Sequence, residues 1–422
     1  MIEKIYSDIV RETCLKYVHP SGVSVFMFPM DKRSACAQFG VRFGSMDNRY
    51  RTQDGGITEV PDGTAHYLEH KLFESEEKDT FALFAQTGAS CNAGTSYEST
   101  VYYFSSTGEF EKNLEILLNF VQSPYFTPEN VEKERGIIEQ EITMYDDNPA
   151  WRVFMELLKG VYKENPIRTD IAGTAESISH ITDKLLYDLY NVYYNPSNLF
   201  LCVTGGFEPE KVVEVCDRCL KDRAPVQFES VHFDEPAEVC EKYREVRMPV
   251  GKPLFYIGFK HPDAADSAEA VEEYISYNIL MDILFGETSD FFLKHRDSGM
   301  LNDAFRVSVF TVRRVVLPCA TGESEEPEKV LEEIKSEIRR AKTEGISKED
   351  FLRVKKATYG AQLRSYNHVE NTAQNIMDAA LAGLSPFSLI EAAAGAEYET
   401  VLRRLAEIDE ENVTLAVCRP ID

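Results

Sequence analysis

Along the first half of the chain the spacing of apolar residues switches between strand-like alternation and helix-like recurrence, and those switches mark the elements. "TCLKYVHPSGVSVFMFP" predicts a hairpin around Pro20-Ser21-Gly22, and "ACAQFGVRFGS" a further strand. "DTFALFAQTG" predicts a short helix closed by Gly88, and "ASCNAGTSYESTVYYFSS" two strands. Two longer helical patterns follow, "EFEKNLEILLNFVQ" and "TPENVEKERGIIEQEITMYDD". The second has Thr127 as N-cap and Pro128 at its first helical position. A further helix, "TDKLLYDLYNVYY", stops at Asn195-Pro196 and leads into the strand "NLFLCVTG".

The second half repeats this order. "ISKEDFLRVKKATYGAQL" occupies the place of "TPENVEKERGIIEQEI", and "VLRRLAEIDEENVTLAVCRP" again runs helix, polar turn, strand, at an offset of roughly 210 residues. The pattern predicts an α+β chain of two similar halves, each a mainly antiparallel sheet packed with helices. The halves are residues 1–222 and 241–422, joined by a polar, proline-containing linker over 223–240. The glycine-rich turns of a dinucleotide-binding domain are absent.

Composition narrows the class. At 422 residues, 43% apolar and 27% charged, the chain is globular, and no run approaches the roughly 18 apolar residues of a membrane span. Its first residues, "MIEKIYSDIVRETCLKYVHPSG", lack the apolar core of a signal peptide. Nine cysteines, an odd number without dense spacing, fit a reducing compartment, so the cytoplasm is expected. A formal net charge of −26 argues against nucleic acid or an anionic membrane as partner. It leaves cationic substrates open, although solubility alone also accounts for it.

The candidate chemistry lies in "GTAHYLEHKLFES", which places His66 and His70 four residues apart with Glu69 between them. On a helix both imidazoles fall on one face one turn apart, within reach of a single zinc ion, and Glu69 projects toward the same side as a base. The alternative is the polar face of an ordinary helix. An H-x-x-E-H string arises by accident in only about one or two chains per hundred, which favours the metal site. The order is the mirror of H-E-x-x-H, the inverzincin signature.

A catalytic zinc takes a third protein ligand and keeps a position open. Candidates lie on "NVEKERGIIEQEITM", where Glu134 and Glu141, seven apart, share one helix face while Glu132 and Glu139 share another. Ile137 and Ile138 set the apolar side near the first pair, which geometry therefore favours.

"GTAHYLEHKLFES", "CNAGTSYESTVYYF" and "KERGIIEQEITM" resemble the active-site segments of the pitrilysin (insulinase) family of zinc peptidases. The resemblance is specific over the first half and mainly architectural over the second. It extends to short members such as the mitochondrial processing peptidase subunits and bacterial insulinase-like proteins, including a group named for an association with elongation factor P modification. It implies an insulinase-like fold, Zn2+ on His66, His70 and Glu141, Glu134 behind the ligands, and Glu69 as general base. It also implies that the strand holding Asn92 and Ala93 pairs with extended substrate, whereas the residue alone allows Asn92 to be a turn-stabilising side chain. The implied function is zinc-dependent endopeptidase action on unstructured peptides. Full sites of the family also use an arginine and, seven residues later, a tyrosine, where "FFLKHRDSGMLNDAF" offers His295 and Asn302, with Arg296 close by. "FLRVKKATYGAQL" carries no glutamate, so one metal site per chain is expected. A paralogous subunit supplying the arginine and tyrosine in a heterodimer is the expected partner. A homodimer is the second arrangement, and a non-catalytic assembly or peptide-binding subunit with a vestigial site the alternative function.

The remaining candidates read as structural. Cys216 and Cys219 lie on an amphipathic helix without a second pair, and His19, His180, His232, His261 and His368 have no ligand spacing. "AEAVEEYISYNILMDILFG" reads as a core helix, and the sole tryptophan, Trp151, as a core residue following Pro149.

Overall fold

The alternating segments of the first half become a sheet. In a computed structural model describing residues 2–53, 55–76, 80–231 and 233–421, the strands are β1 (Ile2–Ser7), β2 (Glu12–Val18), β3 (Ser24–Pro29), β4 (Ala35–Val41), β5 (Arg49–Thr52), β6 (Ile57–Glu59), β7 (Ser90–Thr95), β8 (Thr100–Ser106), β9 (Leu199–Gly205) and β10 (Phe228–Ser230). Seven form one sheet in the order β1-β2-β3-β9-β4-β8-β7, in which only β3 and β9 run parallel, and β10-β5-β6 form a small second sheet. Every residue of β4 and β9 is buried, so both faces of the sheet are covered there.

The helices of this part are α1 (Thr64–Leu72), α2 (Thr80–Thr87), α3 (Phe110–Val121) and α4 (Pro128–Asp146), followed by α5 (Pro149–Val161). Asn130 N–H donates to Thr127 Oγ1 at 3.2 Å, the capping contact expected at the start of α4. Gly88, at φ +69°, follows α2 as the sequence predicts.

A third, five-stranded sheet comprises β11 (Tyr243–Met248), β12 (Leu254–Phe259), β13 (Arg306–Val312), β14 (Val315–Glu323) and β15 (Val413–Pro420), in the order β11-β15-β12-β14-β13. Its single parallel pair, β11 with β15, stands where β3 pairs with β9 in the first. The rest of the ladder is antiparallel in both, so the sequence repeat is a repeat of topology. Offsets run from 413 − 199 = 214 for the last strands to 348 − 128 = 220 for the helices starting at Pro128 and Lys348. The fold is α+β in two similar halves, each a sheet packed with helices.

The compact units do not follow one cut in the chain. One contains Met1–Ile142, Asp170–His232 and Leu363–Phe387, and the other Thr143–Thr169, Phe233–Gln362 and Ser388–Asp422. The expected division into 1–222 and 241–422 is therefore corrected, because each half lends a helix to the unit built mainly by the other. In the first unit the Val369–Ala382 helix crosses β4 and β9, and a Cβ on Gly40 would stand 2.8 Å from Met377 Sδ. In the second, α5 crosses β11, β12 and β15, and a Cβ on Gly258 would stand 3.1 Å from Leu157 Cδ1. Residues 223–240 are not a free tether: β10 pairs with β5 in the first unit, and in the second Glu235 accepts the backbone N–H groups of Lys163, Glu164 and Asn165 and pairs with buried Lys260 at 2.7 Å.

The Ser267–Phe285 helix is a core element, as its apolar run predicts. Trp151 is not a core residue. It is half-buried near the start of α5, its ring 5.6 Å from that of Tyr145 and 5.9 Å from that of Phe154. No helix among the described residues is long and apolar enough to cross a membrane.

Candidate metal centre

Helix α1 is buried along almost its whole length, so its polar side chains face protein rather than water. The helix begins at Gly63, whose φ of +88° and backbone contact leave no room for a side chain: a Cβ there would lie 2.4 Å from the Ala172 carbonyl oxygen. One turn apart, the rings of His66 and His70 sit 4.6 Å from each other. Both face α4, where Glu134 and Ile138 are buried, Glu141 is half-buried, and Glu132 and Glu139 point to solvent. The apolar side of α4 thus carries the 134/141 pair inward.

The structure brings His66, His70 and Glu141 together. His66 Nε2 lies 3.7 Å and His70 Nε2 3.3 Å from Glu141 Oε2, and one donor atom from each of the three lies within 4.8 Å of the others. These separations are close to the edge of a tetrahedron with bonds of about 2.1 Å, roughly 3.4 Å. Two imidazoles and a carboxylate are a His₂Glu donor set, and the residues fit a zinc ion. This is the only such group of three among the described residues.

Hydrogen bonds orient the set. His70 Nδ1 donates to Glu134 Oε1 at 3.1 Å, which turns Nε2 toward Glu141. His66 Nδ1 is buried without a hydrogen-bond partner among the described residues, so no hydrogen bond from that nitrogen orients the ring. The two imidazoles are pushed apart in basicity. Burial, reinforced by the charge of His70, pulls His66 down to about 4. Burial also acts to lower His70, but hydrogen bonds to Glu134 and Glu141 outweigh it and carry His70 up to about 9. The hydrogen bond from His70 holds Glu141 below the ordinary carboxylate range.

Glu69 stands apart from the donor set. It is 8% exposed, and Thr95 Oγ1 from β7 donates to its Oε2 at 2.7 Å. Burial raises its affinity for a proton, and the Thr95 hydrogen bond partly offsets the rise. A buried carboxyl so held is suited to accept and return a proton beside a metal-bound reactant.

Asn92 and Ala93 lie on β7, the last strand of the seven-stranded sheet. Asn92 is exposed and its Oδ1 accepts the N–H of Ala93 at 2.9 Å. With Glu69, His70, Phe73, Phe81 and Lys133 it lines a cleft of about 640 Å³ beside the metal-ligand set. In the second unit His295 is 4% exposed against Phe291 and 3.3 Å from Glu333, Arg296 lies over the Phe292 ring, and Asn302 donates to Glu323 at 3.0 Å. Neither an arginine nor a tyrosine occupies the 295 and 302 positions.

The sequence reading missed Thr95 and Lys71, a lysine with 0% exposure on α1. Lys71 could have been found from its place between Leu68 and Leu72 on a helix with few solvent-facing positions, whereas nothing local marks Thr95. Cys216 and Cys219 are buried in the first unit's core, His19 bonds Ser21 at 2.8 Å, and His232 lies outside the described residues. The other histidines, His180, His261 and His368, join no metal-ligand group.

A duplicated α+β fold whose H-x-x-E-H helix meets a glutamate-bearing helix defines an insulinase-like protein, and comparison with known proteins agrees. The model described as insulinase (peptidase family M16) matches residues 53–175, and that described as peptidase M16 inactive domain matches 180–358. An uncharacterized zinc protease of Bacillus subtilis, YmfH, is 36% identical over 98% of this chain and 96% of its own length. The human mitochondrial-processing peptidase subunit beta is 26% identical over 55% of this chain and 52% of its own. The crystal structure of an M16-like peptidase from Alicyclobacillus acidocaldarius, 34% identical, superposes with a TM-score of 0.93 over 100% of this chain and 99% of that one. The chain belongs to the insulinase family, peptidase family M16.

Proposed function

We propose that the protein is a zinc-dependent endopeptidase acting on unstructured peptides. The observation that carries the reading is the division of labour around α1: His66, His70 and Glu141 converge as donors while Glu69, between the histidines, is held outside that set by Thr95. Zinc bound by the three donors would supply a water of lowered pKa and polarise the scissile carbonyl. Glu69 takes the proton from the attacking water and passes it to the leaving amine nitrogen. Glu134 keeps His70 in the tautomer that presents Nε2. Asn92 and Ala93, on a strand bonded to β8 along one side, would align extended substrate by backbone pairing, which favours unstructured chains and gives little sequence preference. Nine cysteines without a disulfide among the described residues are compatible with work in the cytoplasm.

The reading extends to a partner. With His295 packed in the second unit and Asn302 in place of a tyrosine, the chain brings a metal-ligand set without the arginine and tyrosine of full sites. A heterodimer with a paralogue carrying both residues completes the site, and a homodimer is the competing arrangement. The same two residues favour, as a second reading, a non-catalytic subunit that keeps a vestigial site.

Zinc content and peptide cleavage of the purified chain, alone and mixed with a candidate paralogue, test these readings. Stoichiometric zinc with cleavage that is abolished by Glu69→Gln, while zinc is retained, supports the peptidase. Full activity of the isolated chain, unchanged by the paralogue, refutes the heterodimer, and bound zinc without cleavage in any mixture favours the non-catalytic subunit.

A further inference from the structure

Glu134 orients His70, yet a buried carboxylate needs support of its own. Lys71, the residue after His70, supplies it. A lysine is almost never fully buried unless paired, and this one has 0% exposure. Its Nζ donates to Glu74 Oε2 at 2.5 Å and to the Asn130 carbonyl oxygen at 3.0 Å, and stands 3.6 Å from Glu134 Oε2. The other oxygen of Glu134, Oε1, is the one that accepts from His70 Nδ1. The carboxylate is therefore shared between a fixed cation on one side and the imidazole on the other.

Two of the three Lys71 contacts reach α4, so the side chain ties the helix bearing both histidines to the helix bearing both glutamates. Tyr67 Oη, which donates to the Val131 carbonyl oxygen, makes a second tie about one turn earlier on α1. Without the ammonium, Glu134 would keep only His70 as a close partner in the site and would be free to turn away from it. His70 would then lose the contact that fixes its tautomer and ring plane.

We propose that Lys71 is a positioning residue of the metal centre: it holds Glu134 against His70 Nδ1 and so keeps His70 Nε2 aimed with His66 and Glu141 at one point. The proposal rests on the zinc-centre reading given above. If Lys71 only neutralised a buried charge, it would contribute to folding and leave the metal affinity of the folded protein unchanged.

Zinc affinity measured by competition with a chromophoric chelator separates these roles, using wild type, Lys71→Met, Glu134→Gln and the double variant, each shown to be folded by circular dichroism. Methionine keeps the length and helix preference of lysine without its charge. Lys71→Met is expected to weaken zinc binding about 10- to 100-fold, the usual loss for a group that orients a ligand. Because Lys71 acts through Glu134, the double variant should bind zinc no more weakly than Glu134→Gln alone. Wild-type or tighter affinity in Lys71→Met overturns the proposal, and so does a double variant in which the two losses multiply. Should Lys71→Met fail to fold, Glu134→Gln and the double variant, in which no unpaired carboxylate remains, decide by the same comparison. Glu141→Gln is the control for the centre itself: zinc retained in that variant refutes the metal site, not the part played by Lys71.

Discussion

Thr95 on β7 donates a 2.7 Å hydrogen bond to Glu69 on α1, joining the candidate base to the strand that borders the cleft. Thr95→Val removes the donor and keeps the shape. A hydrogen bond to a charged group contributes about 1.5–3 kcal/mol, so peptide turnover should fall roughly 10- to 100-fold with zinc content unchanged. Thr95→Ser should restore most of it. Equal turnover in the valine and wild-type proteins would show that Glu69 is positioned by α1 alone.

The two glutamate pairs of α4 give a sharp contrast. Glu141→Gln should abolish stoichiometric zinc binding, whereas Glu139→Gln, on the solvent side, should leave it intact. Metal analysis of the two purified variants checks this, and the reverse pattern would place the donors on the wrong face.

Gly63 sets the entry of α1. Gly63→Ala combines positive-φ strain with a Cβ 2.4 Å from a backbone oxygen, and should cost at least about 2 kcal/mol of stability. Gly88→Ala, also at positive φ but with nothing within 4 Å of its Cβ, should cost only the strain, about 1 kcal/mol. Urea unfolding ranks the two. Only the Gly63 variant should also bind zinc more weakly, because only there does α1 shift.

Glu273, 2% exposed in the second unit, makes stability depend on pH. Its Oε1 lies 3.1 Å from Arg404, which Glu272 and Glu407 also contact, and its Oε2 has no hydrogen-bond partner among the described residues. Burial raises the carboxyl from 4.5 to about 7, with Arg404 opposing the rise and Glu269, Glu407 and Glu272 adding to it. His261 lies 3.9 Å away. A carboxyl whose folded pKa is raised contributes stability that is full below about 4.5 and is lost as pH climbs through about 7. Glu273→Gln should therefore match wild type at a pH of about 5, melt higher at about 8, and flatten the dependence between them. A variant that melts lower than wild type at the higher pH would mean that the Arg404 ion pair outweighs the cost of burial.

The sequence alone determined those features that depend on residues near one another in the chain. The H-x-x-E-H spacing puts two imidazoles on one helix face whatever surrounds it. Of the two isoleucines read as the apolar side of α4, Ile138, three residues before Glu141 and four after Glu134, turns inward with those glutamates while Ile137 is exposed. Alternation and helical spacing likewise showed two copies of one order of elements, because each copy has the same apolar faces to bury. Tertiary structure decided which surface each apolar face meets. The buried stripe of α5, including Val153, Leu157 and Leu158, would suit any apolar sheet, and it lies on β11, β12 and β15 of the second unit, where Gly258 leaves room for Leu157. Lys71 reads as an ordinary polar residue until α4 supplies Asn130 and Glu134 to its ammonium, some 60 positions along the chain. Thr95 is an unremarked strand residue until α1 sets Glu69 against it. Periodicity records whether a side chain turns inward; the identity of its partner is fixed only when distant segments pack, since contact energies depend on distance in space and not along the chain.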